Sequence, residues 1–248
     1  MKYYFDFLKL GVFNLKQAKK IINNDNPCQT LKKYIDSGYV SKVKKDIYLC
    51  NNIGLNNYVY DKFYIASHIN EDSFVFGHSA FEYYGMYDQI YNNCQVASKR
   101  RFKNFEFDYI NYECFISSSV KQIDLINGVR VTSVERTIVD SIKMLGKVMD
   151  LEELLKCLSL VNKVSEEKII EMLLEYDSDI LYRKTGYILS FFNKDFNLSD
   201  SFFDFCLDKS NPQNRGKISN YESGNLEYIS KWRLYAYTNP LKLINYGE

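Results

Sequence analysis

Residues 27–50 read PCQTLKKYIDSGYVSKVKKDIYLC, and how this stretch folds decides the character of the first part of the chain. Pro27 suits the first turn of a helix, where its missing N–H has no partner to lose, and Asn26 before it is a natural cap. At helical spacing Cys28, Leu31 and Ile35 fall on one face, with Asn26, Gln29, Thr30 and Lys33 on the other. Gly38 stops the helix. Beyond it, Tyr39, Val40 and Val43 and then Ile47 and Leu49 alternate around Lys44-Lys45-Asp46, the pattern of a short hairpin.

Working outward, a second helix lies just upstream. In VFNLKQAKKII (12–22), Asn14 and Gln17 have capping-box spacing, and Leu15, Ala18, Ile21 and Ile22 form an inward stripe. NNDNP (23–27) breaks it, and KYYFDFLKL (2–10) before it has helical spacing that ends at Gly11. A hairpin directly after the second of two closely spaced helices is the wing of a winged helix-turn-helix. Gln, Thr, Asn and Lys on the open face of the second helix are side chains that hydrogen-bond base edges and phosphates, and lysines at a wing tip suit a phosphate backbone. The expected fold class is α+β: an N-terminal winged helix-turn-helix (1–55), then a larger mixed α/β C-terminal domain (56–248), joined near NNIGLNN (51–57).

Charge follows the same division. The formal net charge is +1, yet residues 1–50 carry ten lysines (Lys2, Lys9, Lys16, Lys19, Lys20, Lys32, Lys33, Lys42, Lys44, Lys45) against Asp6, Asp25, Asp36 and Asp46. Lys99, Arg100, Arg101 and Lys103 make a second basic knot and a second candidate polyanion contact. Residues 147–179 are acidic instead, with Glu152, Glu153, Glu166, Glu167, Glu171 and Glu175. A basic end on a neutral chain points to a polyanion-facing module. The six cysteines are scattered without a C-x-x-C pair, so they read as small buried hydrophobes of a cytoplasmic protein, with no metal or cofactor expected. The start, MKYYFDFLKLGVF, is too broken for a secretory signal, and no later stretch reaches membrane-spanning length. Tyr and Phe abound together with Asn and Lys, a bias that an AT-rich genome produces, so composition alone gives the aromatics no stacking role.

Further along, NNYVYDKFYIASHI (56–69) reads as a helix and SFVF (73–76) as a short buried strand. In GHSAFEYYGM (77–86), Ser79 and Glu82 have capping-box spacing, and Gly85 can close that helix in a left-handed conformation. Strand-like stretches follow at 94–98 and 105–116, and Asn127-Gly128 between alternating apolar residues is a two-residue hairpin signal. TSVERTIVD (132–140) packs two acids, an arginine and three hydroxyls into nine positions. Thr132 and Glu135 fit a second capping box, Val134, Ile138, Ile142 and Leu145 form a buried stripe, and Arg136 stands one turn before Asp140. An arginine in a first helical turn sits at the positive end of the dipole. Arg136 must therefore be held by something else, a carboxylate or carbonyl on a neighbouring element. A nucleophilic role for Ser133 or Thr137 needs a base that the segment lacks. His78 reads as structural. Glu106-Phe-Asp108 leaves a metal-dependent nuclease as a minor alternative.

In the C-terminal half, 150–161 and 165–176 are amphipathic helices with Leu151, Leu154, Leu155 and Leu158, and Ile169, Ile170, Leu173 and Leu174, as their apolar faces. ILYRKTGYILSFF and NLSDSFFDFCLDKS continue the helical pattern, NPQNRGKISNYESG is a polar loop, and EYISKWRLYAYT alternates as a strand around the single Trp.

Five segments in this order, FNLKQAKKI, LKKYIDSGYVSKVKKDIYLC, FGHSAFEYYGM, GVRVTSVERTIVD and KWRLYAYTNP (231–240), resemble the AbiEi family of antitoxins, the antitoxin half of bacterial type IV toxin–antitoxin (abortive-infection) systems. HSAFEYYG with VERTIVD in register is the more specific part. The chain departs from the family at the hairpin tip, Lys44-Lys45-Asp46-Ile47-Tyr48, where the family places a basic residue and Gly before the Tyr. The resemblance implies a non-enzymatic, cytoplasmic repressor without cofactor. It would bind inverted repeats in its own promoter as double-stranded DNA. Its C-terminal domain would counteract a nucleotidyltransferase-like toxin without a stable complex. By position, Gln29, Thr30, Lys32 and Lys33 would read or clamp DNA, with Lys42, Lys44 and Lys45 on the wing. Ser79, Glu82, Thr132, Glu135, Arg136 and Asp140 are the structural signature. The competing expectation is a protein-interaction module that does not bind DNA.

Overall fold

A computed structural model of the chain describes residues 2–52, 61–87, 89–222 and 224–244. The fold is mixed α+β and divides into two compact units. The expected joint at 55/56 lies outside the described residues, as does the start of the helix expected from residue 56.

Unit 1 comprises Met1–Val75, Tyr91–Ser118 and Asp124–Val131. It opens with α1 (Tyr4–Leu10), β1 (Val12–Asn14), α2 (Leu15–Ile22), α3 (Pro27–Asp36), β2 (Val40–Lys44) and β3 (Ile47–Cys50), whose strands form an antiparallel sheet in the order β1-β3-β2. α2 begins where the sequence says: Asn14 Oδ1 accepts from Gln17 N at 2.9 Å, and Gln17 Oε1 accepts from Asn14 N at 2.8 Å. Asn26 caps α3 with a single bond, accepting from Gln29 N at 3.3 Å, while its own N–H donates to Asn24 Oδ1 at 3.0 Å. Phe7, Phe13, Ala18, Ile22, Leu31, Tyr34, Val40, Tyr48 and Cys50 close the core between helices and sheet. The Phe7 and Phe13 rings stack at 4.7 Å, with Tyr34 edge-on to Phe7 at 5.4 Å. Cys28 is not part of this core. It is exposed, and Tyr34 fills the inward face of α3 with Leu31. Asn51 secures the exit, its backbone N–H donating to Tyr39 O and its side-chain amide to Gly38 O, both at 2.9 Å.

After α4 (Lys62–Ser67), unit 1 continues into β4 (Phe74–Val75), β5 (Asn93–Ser98), β6 (Phe105–Phe107), β7 (Ile110–Ile116), β8 (Ile123–Ile126) and β9 (Val129–Thr132). These form one mixed sheet in the order β6-β7-β5-β4-β9-β8, with β5 parallel to β7 and β4 parallel to β9. Residues 105–116 are a hairpin, not one strand, since Asp108 and Tyr109 turn the chain with φ of 51° and 62°. Asn127 and Gly128, at φ 51° and 80°, make the expected two-residue turn. The buried-strand environment is stabilised by Arg130, whose Nε donates to Ser73 O at 2.8 Å and whose Nη2 donates to Asn70 O at 3.0 Å and to Ser67 O.

Unit 2 comprises Phe76–Ile90, Ser119–Ile123 and Thr132–Glu248. α5 (His78–Tyr83), α7 (Leu151–Ser159), α8 (Glu166–Tyr176) and α9 (Asp179–Ser190) pack around α6 (Val134–Lys143). α10 (Asn193–Phe196) and α11 (Asp200–Asp208) follow, and α11 lies against α9. Met172, not Leu174, joins Ile169 and Leu173 inside, and Leu174 is exposed. EYISKWRLYAYT is not one strand: β11 (Glu227–Ile229) and β12 (Leu234–Ala236) are joined by a turn at Trp232-Arg233, with Arg233 at φ 50°. β10 (Gly216–Lys217), inside the expected polar loop, completes the sheet β10-β12-β11. Trp232 lies so close to α9 that a Cβ on Gly186 would fall 2.2 Å from its ring, which is why glycine stands there.

Candidate nucleic-acid interface

The open face of α3 carries Gln29, Lys32 and Lys33 exposed at helical spacing, with Asp36 a further turn along. Thr30 is half-buried, and its hydroxyl accepts from Asn24 Nδ2 at 3.2 Å. α3 packs on β2, so this face and the β2–β3 hairpin belong to one framework.

On the hairpin the three lysines separate. Lys42 and Lys45 are exposed. Lys44 is folded back, its ammonium 4.4 Å from the Phe102 ring centroid and 4.9 Å from that of Phe105, and burial pushes its pKa below the ordinary lysine value. A cation over two aromatic faces is held by their quadrupoles. Lys44 thus joins the hairpin to the β5–β6 connection within unit 1. Asp46 takes the tip position at φ 64°, a left-handed conformation that Asp tolerates better than most side chains, and its carbonyl accepts from Leu15 N at 3.0 Å. The hairpin tip is therefore made with aspartate and tied to the start of α2.

The basic knot sits on the β5–β6 connection. Lys99, Arg100, Arg101 and Lys103 are all exposed around the buried Phe102. Asp72 fixes the start of this loop, accepting from Lys99 N at 2.9 Å and from Ser98 Oγ at 3.1 Å. A cavity of about 460 Å³ lined by Asn14, Asp46, Asn70, Asp72, Lys99 and Arg100 opens between loop and hairpin tip.

The signature residues of unit 2 are occupied by structure. Ser79 does not cap α5: the helix begins at His78 with Gly77 (φ 61°) as its cap, and the buried Ser79 Oγ lies 3.4 Å from His78 Nδ1. Glu82 therefore has no capping box to complete. Thr132 does not cap α6 either. It remains in β9 with its Oγ1 2.7 Å from Thr137 Oγ1, and Ser133 accepts from Arg136 N at 3.2 Å instead. Glu135 accepts from Ser165 N at 2.9 Å, capping a different segment. Arg136 has the outside partners that its position demands: it is fully buried and donates to Asp140 Oδ2 at 3.2 Å, to Ser119 O at 3.2 Å and to Lys121 O. Burial pushes the Asp140 carboxyl above its ordinary range, against the pull of Arg136 and of the Tyr176 hydroxyl that donates to it.

Ser133 Oγ donates to Gln122 Oε1 at 3.0 Å and Thr137 Oγ1 to Ser133 O at 2.8 Å, so neither hydroxyl is directed at a base. Glu106 is on β6 and Asp108 in the turn after it. Among the described residues no group of three or more His, Cys, Asp or Glu side chains is gathered so as to hold a metal ion. A cavity of about 870 Å³ in unit 2 is lined by Glu135, Lys163, Glu166, Glu167, Asp195 and Phe196. Its three glutamates are engaged, Glu135 by Ser165 N as above, Glu166 by Ser199 N at 2.7 Å and Glu167 by Ser165 Oγ at 2.7 Å. Among the described residues no helix is long and apolar enough to cross a membrane.

Together these features define a mixed α+β protein with exposed cations on one helix, one hairpin and one loop of unit 1. No family model and no curated protein matches the chain. It is similar to the crystal structure of the RV2827C protein from Mycobacterium tuberculosis, with a TM-score of 0.69, 12% sequence identity, and coverage of 98% of this chain and 92% of that chain. At that identity the likeness extends to the fold alone.

Proposed function

We propose that the chain is a DNA-binding antitoxin and transcriptional autorepressor of a type IV toxin–antitoxin system. In this reading the first fifty or so residues are a winged helix: α3 reads the major groove of inverted repeats in the protein's own promoter, and the β2–β3 hairpin is the wing. The remainder counteracts a nucleotidyltransferase-like toxin without forming a stable complex, and neither enzyme activity nor a cofactor is involved. The observation that carries the DNA-binding part is the element order α1-β1-α2-α3-β2-β3 with Gln29, Lys32, Lys33, Lys42 and Lys45 all exposed on its last helix and hairpin. These side chains have the chemistry for base edges and phosphates, and a wing of this kind follows the second of two packed helices. The antitoxin part rests on the resemblance of the five segments to the AbiEi family.

A second reading, a winged helix used for protein contact, draws on Lys44 folded inward and Asp46 at the hairpin tip, which remove one cation and add one anion where a phosphate would lie. One experiment separates them: anisotropy binding to the DNA immediately upstream of the coding region, against scrambled DNA, over a salt series. Preference for the upstream fragment that weakens steeply with salt supports the repressor. Equal weak binding to both, or none, supports the protein-contact module.

A further inference from the structure

The sheet β10-β12-β11 of unit 2 turns Leu234 and Ala236 into the core. Its register puts Lys217 opposite Tyr235 and Tyr235 opposite Tyr228, so the three form one row across the strands on the solvent side. An exposed sheet face is ordinarily solvated with polar side chains. This one presents two tyrosines, 38% and 40% exposed, with ring centroids 5.3 Å apart. The Arg215 guanidinium lies 5.2 Å from the Tyr228 centroid, and Lys217 adds a second exposed cation at the other end of the row. Glu227 pairs with Ala236, on the opposite side of the sheet from Tyr228. Glu222, at the border, accepts from the Tyr237 hydroxyl at 3.0 Å. The row itself therefore combines cations and aromatic faces without a carboxylate.

That combination selects a partner chemistry. Aromatic faces on a sheet stack with unpaired bases, and flanking Arg and Lys take the phosphates between them. A duplex keeps its base faces covered and offers the tyrosines nothing to stack on. An acidic protein would satisfy the cations and leave the rings unused. We propose that Tyr228 and Tyr235, with Arg215 and Lys217, form a stacking platform for single-stranded nucleic acid. The platform lies wholly in unit 2, shares no residue with α3 or the hairpin, and does not depend on the promoter-binding reading.

The test uses the full-length protein and three fluorescein-labelled probes: a short oligo(U), an oligo(dT) of equal length, and an unrelated duplex. The expected result is salt-sensitive binding of at least one single strand, the tighter of the two identifying the preferred sugar. Tyr228→Ser with Tyr235→Ser weakens it by about tenfold or more, while Tyr228→Phe with Tyr235→Phe, which keeps both ring faces, retains it. Duplex binding is unchanged in both variants. Conversely, Lys42→Glu with Lys45→Glu weakens duplex binding and leaves the single strand bound, whereas absence of duplex binding by the wild type would count against the repressor and not the platform. If the double serine variant fails to fold, Arg215→Glu with Lys217→Glu replaces it, and the same loss is expected. Absence of single-strand binding by the wild type, or unchanged binding in a folded serine or glutamate variant, overturns the proposal.

Discussion

The hairpin lysines permit a sharp test because two neighbours in sequence are assigned opposite roles. Lys45 stands exposed at the turn, and Lys44 is spent on the Phe102 and Phe105 rings. Removing a single lysine–phosphate pairing reduces the slope of log K against log salt by about 0.9. Over the fourfold rise from roughly 50 to 200 mM salt, one such pairing then accounts for about a 3.5-fold change in affinity. Lys45→Ala is expected to reduce the slope by that one pairing without altering stability. Lys44→Met keeps an apolar stem over the rings and removes the charge. It is expected to cost about 0.5–1 kcal/mol, the range of a cation–π interaction at a partly exposed site, and to leave the slope unchanged. The assay is anisotropy with the upstream fragment at several salt concentrations, paired with urea unfolding of each variant. If folded Lys44→Met flattens the slope as much as Lys45→Ala does, Lys44 leaves the rings on binding and the assignment fails.

Arg136→Met strands the Asp140 carboxyl and two carbonyls in the interior and should cost about 3–5 kcal/mol in urea unfolding. Adding Asp140→Leu should recover part of this, and a single-variant cost under about 1 kcal/mol would refute the clamp. Gly186→Ala drives a methyl into Trp232, a clash of about 1–3 kcal/mol. Because the chain has a single Trp, its fluorescence reports the shift directly, and an unchanged spectrum with unchanged stability would contradict the close approach. Asp179 titrates in a telling direction. Burial pushes its carboxyl up, but the Asn211 N–H, the Asn214 amide and the Arg183 guanidinium outweigh it and hold the pKa below the ordinary value. Its contribution to stability is therefore complete above about pH 4 and is lost as pH falls through the depressed pKa. Asp179→Asn should flatten the acid side of a stability–pH profile measured by thermal melts, and an identical acid limb in both proteins would refute the pairing.

What can be seen in the sequence depends on how far away the deciding partner lies. The caps at Asn14 and Asn26 and the Asn127-Gly128 turn are decided within four residues, and they stand where the spacing puts them. Cys28 satisfies the helical stripe but is exposed in the first turn of α3, and periodicity does not say which positions of a stripe the core covers. The Asp108-Tyr109 turn lacks the Gly or Asn that announces left-handed backbone, so 105–116 reads as a single strand. Lys44 alternates outward from Val43, as a solvated lysine would. Its true neighbours are some sixty residues on, and no local rule carries that information.

The segment 132–140 shows the same limit from the other side. Two overlapping hydroxyl positions, Thr132 and Ser133, could each cap α6. The choice is made by β9, which keeps Thr132 in the strand and leaves Ser133 to take the Arg136 N–H. Arg136 is the residue whose local setting does not add up, a cation at the positive end of a helix, and the missing compensation lies in the carbonyls of Ser119 and Lys121. A buried arginine can occupy that position only if its donors meet acceptors from another segment. The polar density that resembles a catalytic site is thus what fastening residues 119–123 to α6 requires. A local electrostatic misfit in a sequence marks where a distant segment must come back to pair with it.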